Sequence, residues 1–151
     1  MVGTHSRMER CPFCDIVARR SEASRVYEDA LCVAFMDVHP VSPGDMLVVP
    51  KVHAASLEDV SESLAGHLFA VAHRLARGLR RSPLPTEGIN IVLADGKAAA
   101  QTVFHLHVHV FPRNAGDGFR LDVSWQERGR PELDADATAM RVAVRELADV
   151  G

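Results

Sequence analysis

The chain has 151 residues, 47% of them hydrophobic and 25% charged, enough for one globular domain with a real core. Lys plus Arg number 17 and Asp plus Glu 20, a formal charge of −3, unlike the strongly basic domains that bind nucleic acid. No apolar run approaches the ~20 residues of a membrane helix, and three cysteines are too few, and odd in number, for a disulfide framework.

Residues 1–10 are polar and lack the apolar stretch of a secretory signal, so they read as a flexible lead to a single domain over residues 11–151. A cytoplasmic protein is expected, without nucleic-acid or membrane partners. Cys11-Pro-Phe-Cys14 opens the domain, and residues 15–20 fit a short helix. Residues 26–28 and 31–37 read as strands, followed by a loop marked by Pro40, Pro43 and Gly44. Residues 46–49 are an apolar run of strand length. The clearest helix covers residues 61–80, where Leu64, Leu68, Val71, Ala72, Leu75 and Leu79 recur at three- and four-residue spacing and build one apolar stripe. Arg74, Arg77, Arg80 and Arg81 crowd its second half, where cations suit the helix dipole. Residues 88–94 form a further strand, Asp95-Gly96 turns the chain, and residues 102–111 read as the last strand. A C-terminal helix is expected over residues 134–149. The order β, β, β, α, β, β, α, with one long helix against a mostly antiparallel sheet, predicts an α+β domain.

Eight histidines are many for this length, and three of them occupy five positions, His105, His107 and His109. On a strand these three share one face, about 7 Å apart, while Leu106, Val108 and Val110 share the other as a core stripe. Imidazoles crowded this way would repel if charged and cost free energy if buried without partners, so packing alone is a poor reason for them. Two chemistries use such a cluster. Neutral imidazole ligates metals, and near pH 7 it is also a nucleophile and proton carrier. The familiar metalloenzymes with His-x-His on a strand fit poorly. A TIM barrel needs ~250 residues, and the jelly-roll dioxygenase pattern wants a glutamate shortly afterwards, which residues 110–118 lack.

Gln101-Thr-Val-Phe-His105-Leu-His107-Val-His109-Val-Phe resembles the signature of the histidine-triad family, His-x-His-x-His with apolar x. Ala34-Phe-Met-Asp37, Pro40-Val-Ser-Pro-Gly44 and Leu47-Val-Val-Pro-Lys51-Val-His53 are similar to the family's N-terminal half, and Cys11-Pro-Phe-Cys14 to the opening of many bacterial members. The resemblance spans about residues 11–113. It implies a five-stranded antiparallel sheet, dimerised into ten strands. The implied activity is cleavage of purine nucleotides at the α-phosphate: phosphoramidates, adenylates or dinucleoside polyphosphates. It assigns His107 as the nucleophile that becomes nucleotidylated. His109 would lie beside the α-phosphate, Gln101 and Thr102 would donate to the phosphate or leaving group, Asp37 would bind ribose hydroxyls, and Asn90 would reach phosphate or ribose. A metal-dependent enzyme using all three histidines, and a nucleotide-binding regulatory module with vestigial catalysis, are the competing readings.

Cys11-x-x-Cys14 has the spacing of half a tetrahedral zinc site, or of a redox pair. The resemblance completes it with His53 and His105 as a structural Cys₂His₂ zinc site; no organic cofactor is implied. Cys32 reads as core, and His39, His67 and His73 as surface or helix residues. The chain departs from the family pattern at Asp45, where His is frequent, at Asp95-Gly96, where Asn-x-Gly is frequent, and at Ala99-Ala100, where Ala-Gly is frequent. Those changes bear on the leaving group.

Overall fold

A computed structural model of the chain describes residues 10–148. Residues 1–9 of the expected lead and Asp149 of the expected C-terminal helix lie outside the described residues. The chain divides into two compact units, one ending at Phe119 and one beginning at Arg120.

The first unit opens with α1 (Pro12–Val17). It begins earlier than the composition of residues 15–20 suggests because Cys11 caps it. The thiol sulfur accepts from the Cys14 amide, and Pro12 occupies the first turn, where its missing N–H leaves no bond unmade. Strands β1 (Arg25–Glu28), β2 (Cys32–Met36) and β3 (Met46–Pro50) follow, then α2 (Glu62–Arg81), β4 (Gly88–Leu93) and β5 (Val108–Arg113). The five strands pair antiparallel throughout, in the spatial order β1-β2-β3-β5-β4, so the architecture is the expected α+β sheet with one long helix. Ser61 caps α2 by accepting from the Leu64 amide at 3.1 Å, and its apolar stripe buries Leu68, Val71, Ala72 and Leu79.

Alternation along the strands separates two cores. Cys32, Ala34, Met46, Val48, Val108 and Val110 pack under α2, whereas Val33, Phe35, Leu47 and Val49 pack with Phe13 of α1 on the opposite face. The functional side chains gather on this second face. His109 lies opposite Leu47 of β3 and Val92 of β4, and directly opposed residues share a face.

The last strand departs from the expected 102–111. It starts only at Val108 and continues through Pro112 to Arg113. Residues before Val108 have no partner strand, since β3 pairs with β5 only from Val108 to Val110. Instead the Leu106 amide donates to the Ala54 carbonyl at 2.6 Å. Pro112 is tolerated because β5 has only β4 beside it there.

The second unit contains α3 (Arg130–Ala148). It begins four residues before the acidic stretch that suggested its start, because Pro131 fits the first turn. Arg128 pairs with Asp136, its Nε donating at 2.6 Å.

Candidate functional site

His105 lies in a bend of the segment that leads into β5 and His107 immediately precedes that strand; both are buried. The Nδ1–H of His107 donates to the carbonyl of His105 at 2.8 Å. A carbonyl can only accept, so this bond fixes the tautomer and leaves the Nε2 lone pair free. Burial holds the His107 pKa below the ordinary histidine range and the neighbouring His109 adds to this, while the bond to His105 and the charge of Asp37 oppose it. A neutral ring at pH 7 follows. Phe13 packs its edge against this ring at 5.1 Å, and the His109 ring lies 4.9 Å away. Sequence reasoning missed Phe13, whose only signal was its apolar place between two cysteines.

His107 and His109 line a cavity of about 520 Å³ together with Phe13, Phe35, Asp37 and Thr102. That size falls in the range of small-molecule pockets. Asp37 follows the end of β2 and is anchored by one oxygen, Oδ1, which accepts from the His39 amide at 2.9 Å. Thr102 is exposed at the rim.

Two expected site residues are engaged elsewhere. Gln101 is buried, and its amide is saturated within the protein: Nε2 donates to the carbonyls of Ala55 at 2.8 Å and Val103 at 3.1 Å, while Oε1 accepts from the Gly96 amide at 2.8 Å. Both hydrogens expected to reach a phosphate or leaving group are therefore taken, and Gln101 ties three loop segments together. Asn90, on β4, accepts from Arg113 Nη1 at 2.7 Å and does not line the cavity. The alternation that brings Asn90 to the face of His109 does not show that Arg113, at the end of β5, captures it.

Cys11, Cys14, His53 and His105 converge from three segments, each with one ligand atom within 4.8 Å of the others. Cys14 Sγ is 3.3 Å from His53 Nδ1 and 3.5 Å from His105 Nδ1, and Cys11 Sγ is 3.4 Å from His105 Nδ1. Such spacings are those of neighbouring ligands around one tetrahedral ion. The Nε2–H of His105 donates to the Pro50 carbonyl at 2.8 Å, which leaves Nδ1 unprotonated toward the cluster, the arrangement usual behind a metal-ligating histidine. The donor set fits zinc. Cys32 is fully buried, and burial, with the charge of Asp29, pushes its thiol up to about 12, so it is an inert core residue. His67 pairs with Asp29 at 2.7 Å.

A family model described as the HIT domain matches residues 18–116. Protein hit of Bacillus subtilis is 38% identical over 112 residues, covering 74% of this chain and 77% of that protein. Adenylylsulfatase HINT3 of Arabidopsis thaliana is 29% identical over 135 residues, covering 89% of this chain and 68% of that protein. Among solved structures, a zinc-bound histidine triad family protein from Mycobacterium smegmatis is 38% identical with a TM-score of 0.70, covering 93% of this chain and 97% of that one.

Proposed function

Because the chain belongs to the histidine-triad family, with the HIT domain spanning residues 18–116, we propose that it is a nucleotide hydrolase or transferase working through His107. The observation that carries this reading is the buried, neutral His107 ring, pinned at Nδ1 by the His105 carbonyl and free at Nε2 in the wall of a nucleotide-sized cavity. In the first step Nε2 attacks the α-phosphorus, a P–N bond forms, and the bond to the leaving group breaks. His109 steadies the phosphate charge or hands a proton to the leaving group. In the second step water attacks the phosphorus, the P–N bond breaks, and His107 returns to its neutral form with release of a nucleoside monophosphate. Covalent transfer divides one difficult displacement into two easier ones. Asp37 offers its carboxylate to ribose hydroxyls, and Thr102 its hydroxyl at the rim.

The likeness to adenylylsulfatase HINT3 supports an adenylyl group as the part of the substrate that is retained. Zinc held by Cys11, Cys14, His53 and His105 pins the N-terminal segment to the catalytic segment; the zinc-bound relative supports this. When bound, that ion supplies structure and no chemistry at phosphorus, since a closed four-ligand site has no open position. The test is adenosine monophosphate release from adenosine phosphoramidate by the native protein and by His107→Ala. Release by the native protein alone is expected. Comparable release by the variant would refute the covalent reading.

A further inference from the structure

Beside the triad, three side chains form a group that the reaction above does not use as a unit. Asp45 is 1% exposed, and its Oδ2 accepts from the Val41 amide at 3.0 Å. Its other oxygen, Oδ1, is buried without any hydrogen-bond partner, the one such side-chain atom among the described residues. Oδ1 stands 3.8 Å from His109 Nδ1. Asp37 is arranged in the same way: Oδ1 is held by the His39 amide, and Oδ2 stands 3.9 Å from the same His109 nitrogen. The Asp37 amide donates to the Asp45 carbonyl at 2.9 Å, which keeps the two residues in register. Oxygen, oxygen and nitrogen all lie within 4.8 Å of one another.

Two carboxylates therefore face one imidazole, and among the described residues no lysine or arginine forms an ion pair with either. A proton on His109 Nδ1 satisfies neither oxygen at these separations, because hydrogen bonds need about 2.7–3.2 Å. A buried carboxylate oxygen left without a partner is costly. An ion seated between the three atoms removes that cost at all of them together. We propose that Asp37, Asp45 and His109 bind a hard divalent cation, Mn²⁺ or Mg²⁺, at the edge of the His107 cavity. The two carboxylates supply the oxygen ligands that such ions prefer, the imidazole adds one nitrogen, and the softer thiolate cluster takes zinc instead. Asp37 and His109 line the cavity, so the ion is reached from there and completes its coordination with water. Ligation through Nδ1 leaves the His109 Nε2 with its hydrogen, a donor into the same cavity.

The inference does not rest on the hydrolase reading, and its test is made without nucleotide, because a ribose and the ion would meet at Asp37. Zinc-loaded protein is titrated with Mn²⁺, and the free ion is followed by electron paramagnetic resonance. One Mn²⁺ per chain is expected, with paramagnetic broadening of the His109 ring signals that exceeds the broadening of the His53 signals. Asp45→Asn retains an acceptor for the Val41 amide and should fold. It and Asp37→Asn, on a more exposed loop, should each weaken Mn²⁺ binding about tenfold or more. If Asp45→Asn fails to fold, Asp37→Asn decides alone. Absence of binding at millimolar Mn²⁺, or equal binding by the folded variants, would overturn the proposal.

Discussion

Replacing Gln101 with alanine separates a structural strut from a substrate contact. The side chain makes three hydrogen bonds, at 2.8, 2.8 and 3.1 Å, to Ala55, Gly96 and Val103. Each such bond contributes about 0.5–1.5 kcal/mol net, and its loss leaves a partly buried backbone group unpaired. Summed over three bonds, Gln101→Ala should destabilise by about 2–4 kcal/mol. For a chain of this size that is a fall in Tm of roughly 5–15 °C. Gln101→Glu should be worse, because a carboxylate would face the Ala55 and Val103 carbonyls with no hydrogen to give. Urea unfolding measures the loss, and nucleotide turnover is followed on the same preparations. A stability within about 0.5 kcal/mol of native, combined with a fall in kcat of about 100-fold or more, would refute the strut. That pattern belongs to a donor aimed at the reacting phosphate.

Ala100 adopts φ +70, a left-handed conformation that favours glycine. Ala100→Gly should raise stability by up to about 1 kcal/mol, the relief of strain exceeding the added chain entropy; a clear loss in urea unfolding would contradict this. Partial burial pushes the Asp29 carboxyl up, but the Leu31 and Cys32 amides, His67 and Tyr27 outweigh this and hold it well below the usual carboxylate range. A depressed folded pKa stabilises above the unfolded value of about 3.9, and that contribution fades as the pH falls below it. Asp29→Asn should therefore unfold at lower urea than native at pH 7, with the gap narrowing below about pH 4. Removal of zinc by a strong chelator should lower the unfolding temperature, and Cys14→Ser protein should carry less than one zinc per chain by elemental analysis. Native protein without zinc, and indifferent to chelator, would contradict the assignment.

Much of the fold was legible because helical and strand periods leave different traces. The stripe from Leu64 to Leu79 could only be one buried helix face, and α2 buries Leu68, Val71, Ala72 and Leu79. Alternation, by contrast, reports an extended backbone and says nothing about its partners. Residues 105–107 continue the polar–apolar alternation of β5, but the chain bends at residues 103–105 and nothing before Val108 pairs with a strand, so the expected strand began too early. The same limit applies to the site. Residue type and spacing pointed to the histidine cluster and to Cys11 and Cys14, and the family resemblance singled out His107 and added His53 and His105. Which carbonyls absorb Gln101, and that Arg113 captures Asn90, depend on loops brought together by the fold. Asp45 was visible only as a departure from pattern. Its burial beside His109 gives the departure physical content.

Rapid quenching traps the proposed covalent bond between His107 and the α-phosphorus. Native protein is mixed with adenosine phosphoramidate, stopped within one turnover, digested and analysed by mass spectrometry. An adenylyl group is expected on the peptide containing His107, attached at that residue, and none in His107→Ala. Full turnover with no protein-bound nucleotide, or with the label on His109, would contradict it.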